Sequence, residues 1–212
     1  MIFSKASIDK LREKVASHLS KKRYTHTLGV EEAAVHIATA CGLENIDEIR
    51  AAALLHDISK EKSEAEMLQS INNNKIPMTD SDMLSPQIWH SIDAPSVIQT
   101  DFSEFATDNV LSAVRNHTVG APDMSLFDEI IFVADYIESS RTYPACVDAR
   151  IELYSSFDGA LNAEECVGHL HRTTVRILEN TIIHITETKR FLHERTVMTR
   201  NAFLGRLPMR AS

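Results

Sequence analysis

Wherever apolar residues cluster in this chain they recur three and four positions apart, and no stretch alternates in the manner of a strand. Val30, Ala33, Ala34 and Ile37 form one such stripe, and Val110, Ala113 and Val114 form another. A period of 3.6 puts those side chains on one face of a helix, and that face must be buried against a neighbour. Glycine and proline agree. There are 6 of each among 212 residues, below the combined share of roughly 12% usual in soluble proteins and too few for the turns of an all-β fold. The expected fold is all-α, a bundle of about seven to nine helices with no repeat, low-complexity tract or flexible linker. Residues 1–212 are read as a single domain, with a C-terminal helical segment from about residue 162 packed on it.

Local signals place the helices. Ser7 to Ser20 reads as the first and Tyr24 to Ala40 as the second, stopped by Cys41-Gly42. Asn45-Ile46-Asp47-Glu48 has the pattern of a capping box, opening a helix over Ile46 to Lys62. A short helix ends near Asn72-Asn73-Asn74, and Lys75 to Pro86, with two prolines, reads as a loop. Gln87 to Thr100 is apolar enough to pack, but Pro95 interrupts it. Thr107 to His117 is helical again, ending before Gly120-Ala121-Pro122, and Ser125-x-x-Asp128 caps a helix running to Glu138. Asn162 to Glu165 resembles a further cap, opening a long helix toward Arg195.

Charge and cysteine narrow the function classes. Lys+Arg 22 against Asp+Glu 30 leaves a net charge of -8, which opposes non-specific attraction to nucleic acid or anionic lipid. Cys41, Cys146 and Cys166 are far apart and lack C-x-x-C spacing, so neither a disulfide framework nor a zinc knuckle is suggested. No apolar run reaches the ~18 residues that span a bilayer, and the N-terminal stretch carries charges where a signal peptide is apolar. A cytoplasmic protein without nucleic-acid or membrane partners is expected. The strings G-x-G-x-x-G, G-x-x-x-x-G-K-[ST] and G-x-S-x-G are absent, removing the usual signatures of dinucleotide folds, P-loops and serine hydrolases.

The chemistry lies where polar residues interrupt apolar stripes. His26 falls on the Val30/Ala33 face, His56 and Asp57 follow Ala51 to Leu55, and His117 completes the Val110/Ala113/Val114 stripe. Asp135 follows Ile130 to Ala134, where an unpaired carboxylate would cost several kcal/mol. His90, after Trp89, belongs to a segment whose helical pattern is weaker. One half-buried histidine is more often a hydrogen-bonded core residue than a ligand; several together are another matter. Imidazoles mixed with carboxylates suit a first-row transition metal. If all six side chains converge, two metals sharing Asp57 as a bridge is the economical arrangement, and such pairs, about 3.5–4 Å apart, commonly serve phosphoryl transfer.

The ordered pattern of His26, His56-Asp57 and Asp135 resembles the HD-domain superfamily of metal-dependent phosphohydrolases. The strings Tyr24-Thr25-His26-Thr27-Leu28-Gly29-Val30, Leu54-Leu55-His56-Asp57-Ile58-Ser59-Lys60, Asn116-His117-Thr118-Val119-Gly120 and Phe132-Val133-Ala134-Asp135-Tyr136-Ile137-Glu138 resemble the YqeK family within it, over about residues 20 to 205. That resemblance implies an HD-type helical bundle and symmetrical hydrolysis of dinucleoside tetraphosphates, chiefly diadenosine tetraphosphate, to nucleoside diphosphates. It also implies a centre of two divalent or mixed-valence metal ions, typically iron, with Mn or Co able to substitute. His26, His56, Asp57, His90, His117 and Asp135 would be its ligands. Val119 and Ser139 depart from the family's usual Thr and Pro, and the string around His90 matches only loosely.

An acidic protein that binds polyphosphate also needs cations. Lys60, one turn beyond His56-Asp57, is the first candidate and is expected to act with Asp57 in catalysis; Arg23, Arg141 and Thr118 join it as substrate-binding residues. Arg115 and Arg200 are weaker candidates, and Tyr136 and Tyr143 could stack on a base. His18, His36, His169, His171, His184 and His193 receive no role. Two alternatives stay open: another HD-type nucleotide phosphohydrolase (a nucleotidase or nucleoside triphosphatase), and a non-catalytic nucleotide-binding regulatory module. The partner in the main reading is a small nucleotide, and a homodimer is compatible with it.

Overall fold

Helix α1 (Lys5–His18) begins where Ser4 Oγ accepts the Ser7 N–H, and α2 (Lys21–Ala40) begins where Ser20 Oγ accepts that of Arg23. These belong to a computed structural model that describes residues 3–207. Among the described residues the chain forms eleven α-helices, two 3-10 turns and no strand. The others are α3 (Ile46–Leu55), α4 (Glu64–Asn73), α5 (Asp80–Met83), α6 (Trp89–Asp101), α7 (Asp108–Asn116), α8 (Leu126–Ile137), α9 (Pro144–Gly159), α10 (Ala163–Glu187) and α11 (Glu194–Arg206). The all-α expectation holds, with more and shorter helices than the stripes suggest.

Helix α8 is the hub. Its capping box forms as expected, with Ser125 Oγ accepting from Asp128 N–H and the Asp128 carboxylate accepting from Ser125 N–H. Every residue from Phe127 to Ala134 is buried, because α2, α3, α7, α9 and α10 surround it. Helix α3 supplies the close packing: Ala51, Ala52 and Ala53 are fully buried, and without side chains beyond Cβ they let α2 and α7 approach the backbone. A smaller apolar cluster of Met67, Ile71, Ile88, Trp89, Ile92 and Val119 joins α4 to α6.

Several boundaries differ from the sequence reading. Helix α3 stops at Leu55 and does not reach Lys62. Beyond it, Ile58, Lys60 and Lys62 donate to carbonyls three residues back, so the segment winds into successive turns. The Asn45 capping box does not form. Glu48 accepts instead from Thr107 Oγ1 (2.5 Å) and Asn109 Nδ2 (3.2 Å), tying α3 to the start of α7. Pro95 does not interrupt α6, because burial of every residue from Trp89 to Ala94 outweighs one missing ladder hydrogen bond. The loop over Lys75 to Pro86 contains α5, closed by a Thr79/Asp82 capping box. The long helix α10, expected to run toward Arg195, ends at Glu187, where Lys189 takes a left-handed φ of 53° and Arg190 N–H bonds Ile185 O. Helix α9 had no counterpart in the reading: its buried residues, Cys146, Ala149 and Leu153, are mostly small and make a faint stripe.

Candidate metal centre

Two histidines of the site stand at helix C-termini and are fixed in the same way. His56 caps α3 and turns its Nδ1–H onto Ala53 O (2.7 Å); His117 caps α7 and turns its Nδ1–H onto Val114 O (2.7 Å). A carbonyl can only accept, so Nδ1 carries the proton and the Nε2 lone pair is left free. Both rings are buried, His56 completely. His26, on α2, is fixed by a carboxylate: its Nδ1 lies 3.0 Å from Glu138 Oε1. Three imidazoles thus present Nε2 to one interior point. His90, on α6, lies 3.2 Å from His117 through the Nε2 atoms, and Lys60 Nζ is 3.2 Å from each of its ring nitrogens.

Asp57 stands between two sets. Its Oδ2 lies 3.4 Å from His56 Nε2 and 3.6 Å from His26 Nε2, whereas Oδ1 lies 3.3 Å from His90 Nε2 and 3.6 Å from His117 Nε2. Asp135 Oδ1 completes the first set, 3.1 Å from His26 Nε2 and 3.8 Å from His56 Nε2. The six candidate ligands, His90 of the weaker segment among them, therefore meet at one place. Asp135 is less buried than its apolar run suggests, with a side chain 20% exposed toward a cavity.

The donor set fits a divalent cation pair. Ring nitrogens face one another at 3.4 Å (His26–His56) and 3.2 Å (His90–His117) beside two carboxylates, a convergence of donor atoms that a shared cation satisfies. His26, His56 and Asp135 form one compact group of ligand atoms, and His56, Asp57 and His117 another. The side chains' own electrostatics point the same way. Burial disfavours a charged His26, but Asp135, Glu138 and Asp57 outweigh it and lift its pKa to about 9, so a proton sits where a cation would bind. Burial opposes ionised Asp57 too, yet the surrounding histidines hold its pKa well below the carboxylate range. His90 goes the other way: burial and His117 push it well below the usual imidazole value, leaving it neutral.

Cations ring this centre. Arg23 Nη1 donates to Asp57 Oδ2 (2.7 Å), and Arg141 donates to Asp135 through Nη2 to Oδ1 (2.7 Å) and Nε to the backbone O (2.8 Å). Lys60 is not on a continued helix, yet the turns after Leu55 still bring it to the centre. Burial lowers its pKa, with Arg23 and Arg141 contributing and Asp57 and Asp135 opposing. Thr118 Oγ1 is 3.1 Å from Ser91 Oγ. Lys60, His90, His117, Thr118 and Asp135 line a cavity of ≈ 300 Å³ whose far wall is apolar and comes from α8, α10 and the segment before α11. Tyr136 lines it too, whereas Tyr143 is 72% exposed before α9. Arg115 turns to Asp82, and Arg200 pairs with Glu179.

Two residues near the centre lay outside the sequence reading. Glu138 follows Asp135 by three, and that spacing on one helix face was the available signal. His193, which receives no role from the sequence, is 3% exposed, lines the cavity, and bonds Asp82 Oδ1 through Nε2 (3.2 Å) while its Nδ1 accepts the Arg195 N–H.

The geometry has counterparts. The HD domain family model matches residues 23–140. The symmetrical bis(5'-nucleosyl)-tetraphosphatase of Bacillus subtilis is 34% identical over 136 residues, 64% of this chain and 72% of that protein. The Halalkalibacterium halodurans protein of the same name is 29% identical over 190 residues, 90% of this chain and 93% of its own. A crystal structure from Clostridium acetobutylicum, described as a predicted HD superfamily hydrolase involved in NAD metabolism, superposes with a TM-score of 0.80. It is 27% identical and covers 97% of this chain and 100% of its own.

Proposed function

The chain belongs to the HD domain family, and we propose on that premise that it is a metal-dependent hydrolase that cleaves dinucleoside tetraphosphates symmetrically, diadenosine tetraphosphate yielding two ADP. The observation that carries this reading is Asp57, whose two oxygens face different histidine sets. His26, His56, Asp57 and Asp135 would hold one cation and Asp57, His90 and His117 a second, with iron the resident metal and Mn or Co able to replace it. Two such cations, when bound, supply Lewis acidity toward phosphate oxygens and a water acidified enough to attack phosphorus near neutral pH.

The chain's own groups then do the rest. Arg23 and Arg141, each on a ligand carboxylate here, are placed to exchange onto phosphate oxygens, as the carboxylates' charge is taken up by metal. Lys60 Nζ reaches into the same space and can donate to the bridging oxygen that leaves as the P–O bond breaks. Water's oxygen joins the attacked phosphorus, the leaving nucleoside diphosphate keeps the bridging oxygen, and Thr118 offers a neutral donor at the rim. The apolar wall fits a nucleoside and excludes water from the phosphates. Because α10 and the segment before α11 build that wall, residues 1–212 are proposed to work as one unit. The substrate would be a small nucleotide met in the cytoplasm; no helix among the described residues is long and apolar enough to cross a membrane.

Metal analysis tests the centre without reference to turnover. Protein loaded anaerobically with Fe²⁺ and desalted should carry about two equivalents per chain. Less than one equivalent under all loading conditions would contradict the proposal.

A further inference from the structure

We propose that Glu138 is a positioning residue of this centre, holding His26 so that its Nε2 lone pair faces the cation, and that residue 29 is glycine to give the Glu138 carboxylate its place. The inference rests on reading the site as a metal centre.

Glu138 is 1% exposed and stands just beyond α8. Its carboxylate accepts from His26 Nδ1 (3.0 Å), Ser140 N (2.7 Å) and Ser140 Oγ (2.6 Å), so it is ionised and fully engaged. The backbone that carries it is clamped in turn, since Arg150 Nη1 donates to the carbonyls of Ile137 (2.8 Å) and Glu138 (2.7 Å). His56 and His117 use neutral carbonyls for the same task. Of these three, His26 alone has an anion behind it, which fixes the tautomer, orients the ring and makes Nε2 a stronger donor.

Gly29 supplies an independent observation. It lies inside α2, where glycine is worse than alanine for helix stability, and its φ is not of the left-handed kind that would require glycine. A Cβ built on it would lie 2.5 Å from Glu138 Oε2 and 3.4 Å from Cδ. Alanine there would displace the Glu138 carboxylate from the position in which its other oxygen, Oε1, accepts from His26 Nδ1.

Four proteins test this: wild type, Glu138→Ala, Glu138→Gln and Gly29→Ala, with the Gly29→Ala/Glu138→Ala double variant as control. Each is stripped with chelator and titrated with Mn²⁺, free Mn²⁺ being read by electron paramagnetic resonance. Glu138→Ala should weaken one of the two sites by about 10–100-fold and leave the other unchanged. Glu138→Gln, whose amide oxygen still accepts from Nδ1, should recover part of that loss. Gly29→Ala should copy the loss in the wild-type background. In the double variant it should cause no further loss and raise Tm by about 2–4 °C, since the helix gains alanine where the clash has gone. Unchanged Mn²⁺ affinities in Glu138→Ala would overturn the inference, as would an equal weakening of both sites, or a Gly29→Ala loss that persists undiminished without the carboxylate. If Glu138→Ala does not fold, the site-selective loss in Glu138→Gln and Gly29→Ala decides in the same way. Wild-type protein that binds no Mn²⁺ would overturn the metal reading itself.

Discussion

Asp57 carries the two-sided geometry alone, because among the described residues no other carboxylate touches both histidine sets. Asp57→Ala should therefore abolish turnover and lower metal content below one equivalent, whereas Asp57→Asn should fold normally and lose the bridging charge; metal analysis beside a turnover assay separates these outcomes. Lys60 makes a different prediction, since it touches His90 but is no ligand in this reading. Lys60→Ala should lower kcat/KM by about 10²–10³-fold, the usual effect of removing one transition-state donor, while metal content stays near that of the wild type. Unchanged kinetics would return Lys60 to a structural role. His26, His56, Asp57, His117 and Asp135 were legible because they broke apolar stripes, a buried polar group at a core position needing a partner, whereas His90 lay in a weaker pattern and was reached through the family resemblance. Glu138 was not legible in that way. It ends a helix, where an acidic residue is unremarkable, and its partner is 112 positions away.

At the scale of elements, the recurring device is a histidine that caps a helix and donates back to its last turn, at α3 and at α7. A helix C-terminus carries partial negative charge, so both ends also favour a cation. The turn after His117 depends on Gly120, whose φ is +71° and on which a Cβ would lie 2.7 Å from Thr199 Cγ2 in α11. Gly120→Ala should cost about 1–2 kcal/mol from the left-handed backbone alone, and more from displacing α11, measurable as a lower Tm. Asp82 links α5 to α7 and α11. Burial favours its neutral form, but hydrogen bonds from Thr79, the charge of Arg115 and a hydrogen bond from His193 together hold its pKa below 3.8. A depressed folded pKa stabilises above the unfolded value and loses that contribution as pH falls through the folded one. The Tm gap between wild type and Asp82→Asn should accordingly shrink as pH falls below about 4, the ordinary carboxylate value; a constant gap would reject this linkage. Element boundaries were the least legible feature. The break at Lys189 has no glycine or proline to mark it, and the end of α3 is set by His56 and the turns around Asp57, not by a loss of helical residues.

For the whole molecule, the chain answers an electrostatic problem with geometry. A net charge of -8 repels a polyphosphate at long range, yet Arg23, Lys60 and Arg141 converge on the cluster of imidazoles and carboxylates. Fold class was readable because stripe period and scarce turn residues agree; the placement of α10 and α11 over the cavity was not, since it depends on packing against α8 and the Gly120 turn. Symmetric cleavage at a metal centre is read out by the identity of the products. Wild-type protein loaded with Fe²⁺, Mn²⁺ or Co²⁺ is incubated with diadenosine tetraphosphate in ¹⁸O-labelled water and the nucleotides are identified by mass spectrometry. The predicted result is ADP as the sole product, with one label shared between the two ADP molecules formed per turnover. Equal amounts of ATP and AMP, or intact substrate with every metal, would contradict it.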